Sequence, residues 1–222
     1  MTPKAFLFDL NGTMINDMDY HLQVWYDVLV NELGSTLTLD GVRSNMYGKN
    51  DELFVRVFGA GRFTKPQMDE IAHRKEVKYQ ELYKPHLKLI DGLHDFLDQA
   101  RAAGIKMAIG SAAIPFNIDF VLDNLNIRHY FSAIVSADDV AESKPHPEVF
   151  LKAAHLLEVD PSACIVFEDA PKGVEAAARA GMKSVALTTL HADHEFKGLD
   201  NILFFAPDYT IPDMQALLKD WK

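Results

Sequence analysis

Six short apolar runs punctuate this chain, at Ala5–Phe8, Ile105–Ile109, Ala133–Val135, Ala163–Phe167, Ser184–Leu187 and Ile202–Phe205. Most are apolar on both faces, the pattern of strands covered by helices on each side. Helical spacing fills most of the intervals, near 91–103, 115–126, 147–158 and 172–180, and returns at 212–221. Asp91 stands before the first of these helices and Gly104 closes it, while Gly181 closes the helix containing Glu175–Ala180. Single helices between strands demand crossover connections, which make the strands parallel. The expected class is therefore α/β, with a doubly wound parallel sheet.

One interval breaks the alternation. Residues 17–88 contain no convincing strand and read as helices near 17–33, 38–46, 50–58 and 66–83, with Leu22, Trp25, Tyr26 and Leu29 spaced for one face. That is an all-helical insertion between the first and second strands. Gly59-Ala60-Gly61 and Lys84-Pro85-His86 read as turns or boundaries. At 222 residues the chain is long enough for one core carrying a small inserted domain.

The formal charge of −10 argues against general nucleic-acid binding, which needs a basic surface. No apolar run approaches the ~20 residues that span a bilayer. Residues 1–8 lead straight into a strand, without the features of a signal peptide. Cys164 is the only cysteine, so no intramolecular disulfide forms, and its apolar run suggests a small packed hydrophobe. These features lead to the expectation of a cytoplasmic protein without membrane or nucleic-acid partners, a monomer or weak homo-oligomer. The same negative charge repels anionic substrates, so a phosphate site must supply local positive potential from a cation, a lysine or helix-start N–H groups.

Open parallel sheets place ligand sites beyond the carboxyl ends of their strands. After the first strand stands Asp9-Leu10-Asn11-Gly12-Thr13; after the second, Gly110-Ser111-Ala112; after the third, a loop with Glu142-Ser143-Lys144-Pro145. Glu168-Asp169 follows the fourth, before Ala170-Pro171-Lys172-Gly173 opens a helix. Taken singly, each group has an ordinary structural explanation. Asp9 can end a strand, Gly12 and Thr13 are common in turns, and Ser111 can cap the next helix. Lys144 can be a solvated loop lysine, and Glu168-Asp169 can favour a helix start. Their joint arrival at one sheet edge is the signal, and converging acidic oxygens suit Mg²⁺.

With those motifs in place, the chain resembles the haloacid-dehalogenase superfamily, within it the β-phosphoglucomutase-like group with a helical cap. The first motif, Asp-x-Asp-Gly-Thr, matches residues 9–13 except at Asn11; Ser111, Lys144 and Glu168-Asp169 match the other three. The resemblance implies a Rossmann-like core over 1–15 and 89–222 and a cap over 16–88. It implies an Asp9 nucleophile and Mg²⁺ held by Asp9, the Asn11 carbonyl, Glu168 and Asp169. Lys144 would hold Asp9 and the transferring group together. Ser111 and Thr13, with N–H groups of Leu10, Asn11, Gly12 and Ala112, would bind the phosphoryl oxygens, and the substrate would be a small phosphorylated metabolite. Glu168-Asp169 argues against dehalogenase chemistry, which uses the same nucleophile without a metal.

Asn11 is the departure. The family's aspartate at that position is the acid and base of the reaction; an amide has its shape but does not titrate, and losing such a group costs ~10²–10⁴ in rate. It is consistent with an engineered trap, with a natural enzyme whose base lies elsewhere, or with a phosphometabolite binder. In the second case His21, on the first helix of the insertion, is a candidate substrate contact; otherwise it is a partly exposed helix histidine. Trp25 reads as core. Gly48-Lys49-Asn50 stands where the mutases place an arginine for the second phosphate, leaving Lys49 as a point charge. Arg74 and Lys75 read as solvated. Ala112-Ala113-Ile114-Pro115 lacks the polar groups that mutases offer there. These features favour a phosphatase for a sugar phosphate or similar monoester over a β-phosphoglucomutase.

Overall fold

A computed structural model describes residues 3–219. Their six strands are β1 (Ala5–Phe8), β2 (Lys106–Gly110), β3 (Ala133–Val135), β4 (Cys164–Glu168), β5 (Lys183–Leu187) and β6 (Ile202–Ala206). They form one sheet in the order β3-β2-β1-β4-β5-β6, and every pairing is parallel. Strand order reverses at β1: later strands add outward on one side from β2 and on the other from β4. A crevice opens beyond the strand ends at such a reversal, and Asp9 is the first residue after β1.

Two compact units separate by contact, one up to Asn16 and from Lys88 onward, the other Asp17–Leu87. The first is the sheet with its helices α5 (Leu93–Ala102), α6 (Pro115–Asn124), α7 (Glu148–Leu156), α8 (Pro171–Arg179) and α9 (Pro212–Lys219). Residues 220–221 of the helix expected over 212–221 lie outside the described residues. The second unit is helical: α1 (Met18–Tyr26), α2 (Leu39–Asn45), α3 (Asn50–Phe58) and α4 (Lys65–Tyr83).

Alternation along β1 explains why both faces of the sheet are covered. Ala5 and Leu7 join Val166, Phe150, Ala153, Ala176 and Ala177 beneath α7 and α8. Phe6 points the other way, stacked on Phe96 of α5 at 5.5 Å and edge-on to Phe167 at 5.2 Å. A fully buried leucine or phenylalanine contributes ~1.5–3 kcal/mol, so the strand that leads into Asp9 is firmly held. β6, at the sheet edge, departs from this pattern and leaves Leu203 and Phe205 exposed.

Several expectations need correction. The single helix expected over 17–33 ends at Tyr26 and continues as a π-helical turn over Asp27–Glu32, where the Leu33 N–H reaches Val28 O. Gly92, not Asp91, occupies the N-cap of α5, and the Asp91 carbonyl accepts the Tyr209 N–H instead. Lys75, expected in solvent, is 1% exposed, and His21 is buried as well. Trp25 is core as expected, edge-on to Phe54 at 5.7 Å. No helix among the described residues is long and apolar enough to cross a membrane.

Candidate active site

The chain turns sharply after β1. Thr13 and Met14 both donate N–H bonds to Leu10 O, at 3.3 and 2.8 Å, which folds residues 10–14 back over the strand end. Gly12 makes this possible. Its φ is +72°, and a Cβ there would lie 2.0 Å from Asp169 Oδ2. The same device operates on β4: a Cβ at Gly173 would meet Glu168 Oε1 at 1.7 Å. Two positions without side chains therefore let backbone pack directly on the two acids.

Asp9, Glu168 and Asp169 each bring one carboxylate oxygen within 4.8 Å of the others, and all three are buried. Lys144, in the loop before α7, donates to Asp9 Oδ1 at 2.6 Å and to Glu168 Oε1 at 2.8 Å. It is therefore no solvated loop lysine; its ammonium also lies 4.8 Å from the Phe150 ring centroid. Thr13 Oγ1 donates to Asp169 Oδ1 at 3.4 Å, and the Glu168 carboxylate accepts the Ala170 N–H at 2.8 Å.

Three carboxylates around one lysine leave an excess of negative charge in a desolvated place. Burial pushes Asp9 up from 3.8 to about 6, with Glu168 adding to the rise and Lys144 opposing it. Burial, then Glu168 and Asp9, raise Asp169 well above the usual carboxylate range. Burial alone would lower Lys144, but Asp9 and Glu168 outweigh it and raise it. The donors are all oxygen, buried and short of positive charge, which suits a hard divalent cation.

Ser111 and Ala112 leave β2, the strand beside β1, so they stand one strand from Asp9 at the same sheet edge. Ser111 does not cap α6, whose N-cap is Ile114; its hydroxyl accepts the Ala113 N–H at 3.1 Å. Asn11 is half-buried, and its backbone bridges to Ile15. His21 and Lys49 belong to the helical unit. His21 stacks on Tyr79 at 3.8 Å, with Lys75 Nζ 2.6 Å from Nδ1 and Asp17 Oδ2 3.3 Å from Nε2. Lys49 is the N-cap of α3, its N–H donated to Glu52 Oε2 at 3.0 Å.

Two further residues, unforeseen from sequence, touch the Asp9 loop. Thr189 Oγ1 donates to Gly12 O at 2.5 Å, and Tyr209 Oη donates to Thr13 O at 3.1 Å. Thr189 is the second residue after β5, so inspecting every strand exit would have found it; Tyr209 carries no local signal.

Comparison with known proteins shows the family. The family described as haloacid dehalogenase-like hydrolase matches residues 6–187. This chain belongs to that family. It is 32% identical to the β-phosphoglucomutase of Bacillus subtilis (strain 168), over 99% of this chain and 96% of that one. It is 30% identical to the validoxylamine A 7'-phosphate phosphatase of Streptomyces hygroscopicus subsp. limoneus, over 85% and 87% of the two chains. Among solved structures, the β-phosphoglucomutase (pgmB) from Clostridium difficile matches with a TM-score of 0.83 at 25% identity, covering 99% of this chain and 98% of that one. The haloacid dehalogenase-like family thus includes both phosphatases and phosphoglucomutases among this chain's relatives.

Proposed function

We propose that this protein is a Mg²⁺-dependent phosphohydrolase that acts through an aspartyl-phosphate on a sugar phosphate or similar small phosphomonoester. The observation that carries the reading is Asp9 held on Lys144 at 2.6 Å within a buried cluster of acid oxygens. Asp9, the Asn11 carbonyl, Glu168 and Asp169 are the residues that would hold Mg²⁺. The bound ion supplies the positive charge that lets a carboxylate approach an anionic phosphate.

Asp9 attacks phosphorus in line with the leaving oxygen. The Asp9–phosphorus bond forms as the ester P–O bond breaks, and the leaving oxygen keeps that electron pair and takes a proton from water. Ser111 and the N–H groups of residues 10–12 and 112 hold the equatorial oxygens, and Lys144 offsets their charge. Water then attacks the same phosphorus as the Asp9 O–P bond breaks; it gives a proton to the hydroxide left by the first step, which releases phosphate and restores the Asp9 carboxylate. Asn11 neither gives nor takes a proton, so both steps run without a positioned acid or base, and turnover is slow.

Asn11 also favours one second reading, a phosphometabolite-binding protein without useful turnover. An assay with p-nitrophenyl phosphate and Mg²⁺, followed by a screen of phosphorylated sugars, separates the two. Saturable release of phosphate that Asp9→Ala reduces by about 10⁴-fold or more supports the hydrolase. Turnover that survives Asp9→Ala, or none above background, overturns it.

A further inference from the structure

The Asp9 loop has consecutive peptides whose carbonyls are both taken by side-chain hydroxyls from the far half of the sheet. Thr189, at the exit of β5, bonds Gly12 O, and Tyr209, beyond β6, bonds Thr13 O. The N–H groups of the same two peptides, on Thr13 and Met14, go to Leu10 O. Both peptide planes are thereby fixed at each end. Thr13 in turn holds Asp169 through Oγ1, and Gly12 packs directly on the Asp169 carboxylate.

Tyr209 is itself tightly placed. It is 1% exposed, its ring packs on Phe96 at 5.5 Å and on Phe167 at 5.8 Å, and its N–H donates to Asp91 O at 3.0 Å. Phe167 immediately precedes Glu168-Asp169. The chain leaving for the helical unit and the chain returning from it are paired next to this point, by Ile90 N–H to Met14 O at 2.9 Å and by the Ile15–Leu89 bridge. Tyr209 thus ties the outgoing segment, at Thr13, and the returning one, at Asp91, to the body of the sheet.

We infer that Tyr209 and Thr189 are positioning residues for the catalytic loop, holding the Gly12 and Thr13 peptides so that Asp9 and Asp169 present their oxygens together. Neither touches the reacting atoms; they act through the backbone on which the acids depend. The inference rests on the proposed metal and nucleophile roles only for its functional consequence. The clamp itself is a property of the loop.

The test compares Tyr209→Phe, Thr189→Val and the double variant with the unaltered protein. Tyr209→Phe keeps the ring and removes only the hydroxyl, and Thr189→Val keeps the shape, so either suffices if the other fails to fold. The control is Asn201→Ser, which loses bonds to Val174 O and Met182 O in the β5–β6 region without touching the loop. The first readout is amide hydrogen exchange at Thr13 and Met14, which needs no ligand and no activity. The second is Mg²⁺ affinity by calorimetry, and the third is kcat against KM for p-nitrophenyl phosphate.

Faster exchange at those two amides, Mg²⁺ affinity weakened by roughly 10-fold or more, and a fall in kcat with KM held would support the clamp, provided that Asn201→Ser shows none of these. Unchanged exchange at Thr13 and Met14, or equal effects in Asn201→Ser, overturns it. If the unaltered protein gives no Mg²⁺ binding, the proposed function fails, and exchange still decides the clamp.

Discussion

The sheet unit and the helical unit each gather carboxylates around one lysine, with different results. In the helical unit, Lys75 lies between Glu76 at 3.0 Å and the His21 ring at 2.6 Å. Asn50 Nδ2 donates to Glu76 at 3.1 Å, and the Tyr79 hydroxyl donates to Asp17. Trp25 lies beneath the Lys75 ammonium at 4.8 Å. Two carboxylates thus face a lysine, a histidine and two neutral donors. In the sheet unit, Lys144 pairs with Asp9 and Glu168, and Asp169 adds a third carboxylate beside them. The helical cluster meets its two acids with a lysine, a ring nitrogen and two neutral donors, the kind of network that buried polar groups form when they are structural. The other keeps an excess of acid oxygens, which is what a site that accepts a cation and an anionic substrate requires. Buried charge marks chemistry when it does not balance.

If the helical network is structural, breaking it should cost stability. Lys75→Met leaves Glu76 and Asp17 without their cation, and a loss of about 3–5 kcal/mol is expected in urea unfolding. A loss well under 1 kcal/mol would show that the contrast is false. The converse change sharpens the sheet unit's role. Asn11→Asp adds a fourth carboxylate to the acid-rich side and should raise kcat for p-nitrophenyl phosphate by about 10²-fold. No gain would mean that acid–base function is not what this site lacks.

A smaller effect separates the two clusters by pH. The folded Asp9 value of about 6 lies above its ordinary 3.8, so the folded protein binds the extra proton between those values. Without metal, that contribution makes stability decline as pH rises through this window. Mg²⁺ should therefore raise Tm more at about pH 7.5 than at about pH 5, measured against EDTA. Asp169→Asn should shrink that difference, and Lys75→Met should not. The least effect is expected at the surface, where Arg128 pairs with Asp119 at 2.6 Å and Asp123 at 2.8 Å. Arg128→Ala should cost less than about 1 kcal/mol, because solvent screens that pair; a larger loss would mean that burial is not what separates strong from weak charge pairs here.

The fold was readable because its signals are local. Apolar runs of strand length, one helix per interval, and Gly104 and Gly181 after helices located all six strands and the helical insertion. The acids were readable because they stand at strand ends: Asp9 and Asp169 each directly follow one, and Glu168 closes one. What stayed hidden depends on contacts between distant segments. Lys75 sits in a polar helix that looks solvated until Trp25, Glu76 and His21 surround it. Tyr209 lies in a turn with nothing to mark it, and its role arises only where Thr13 and Asp91 meet it. The π-helical turn after Tyr26 likewise has no mark in apolar spacing, since Leu29 fits either geometry. Asn11 shows the opposite case: sequence alone identifies the departure from the family's motif, while the peptides that follow it are held by Thr189 and Tyr209.

The central place of β1 also governs how the protein comes off the ribosome. Asp9 and Lys144 are separated by 135 positions, and Thr13 reaches Asp169 across 156. The helical unit lies wholly within Asp17–Leu87 and is synthesised before either neighbour of β1. A nascent chain therefore carries a complete helical unit behind a bare apolar strand that waits for Glu168 before its sheet can close. Contacts of such long range form slowly and leave apolar surface exposed meanwhile. The segment Ala5–Phe8 is where a chaperone has most to protect, and Asp9 is spared the company of the other two acids until β4 has emerged.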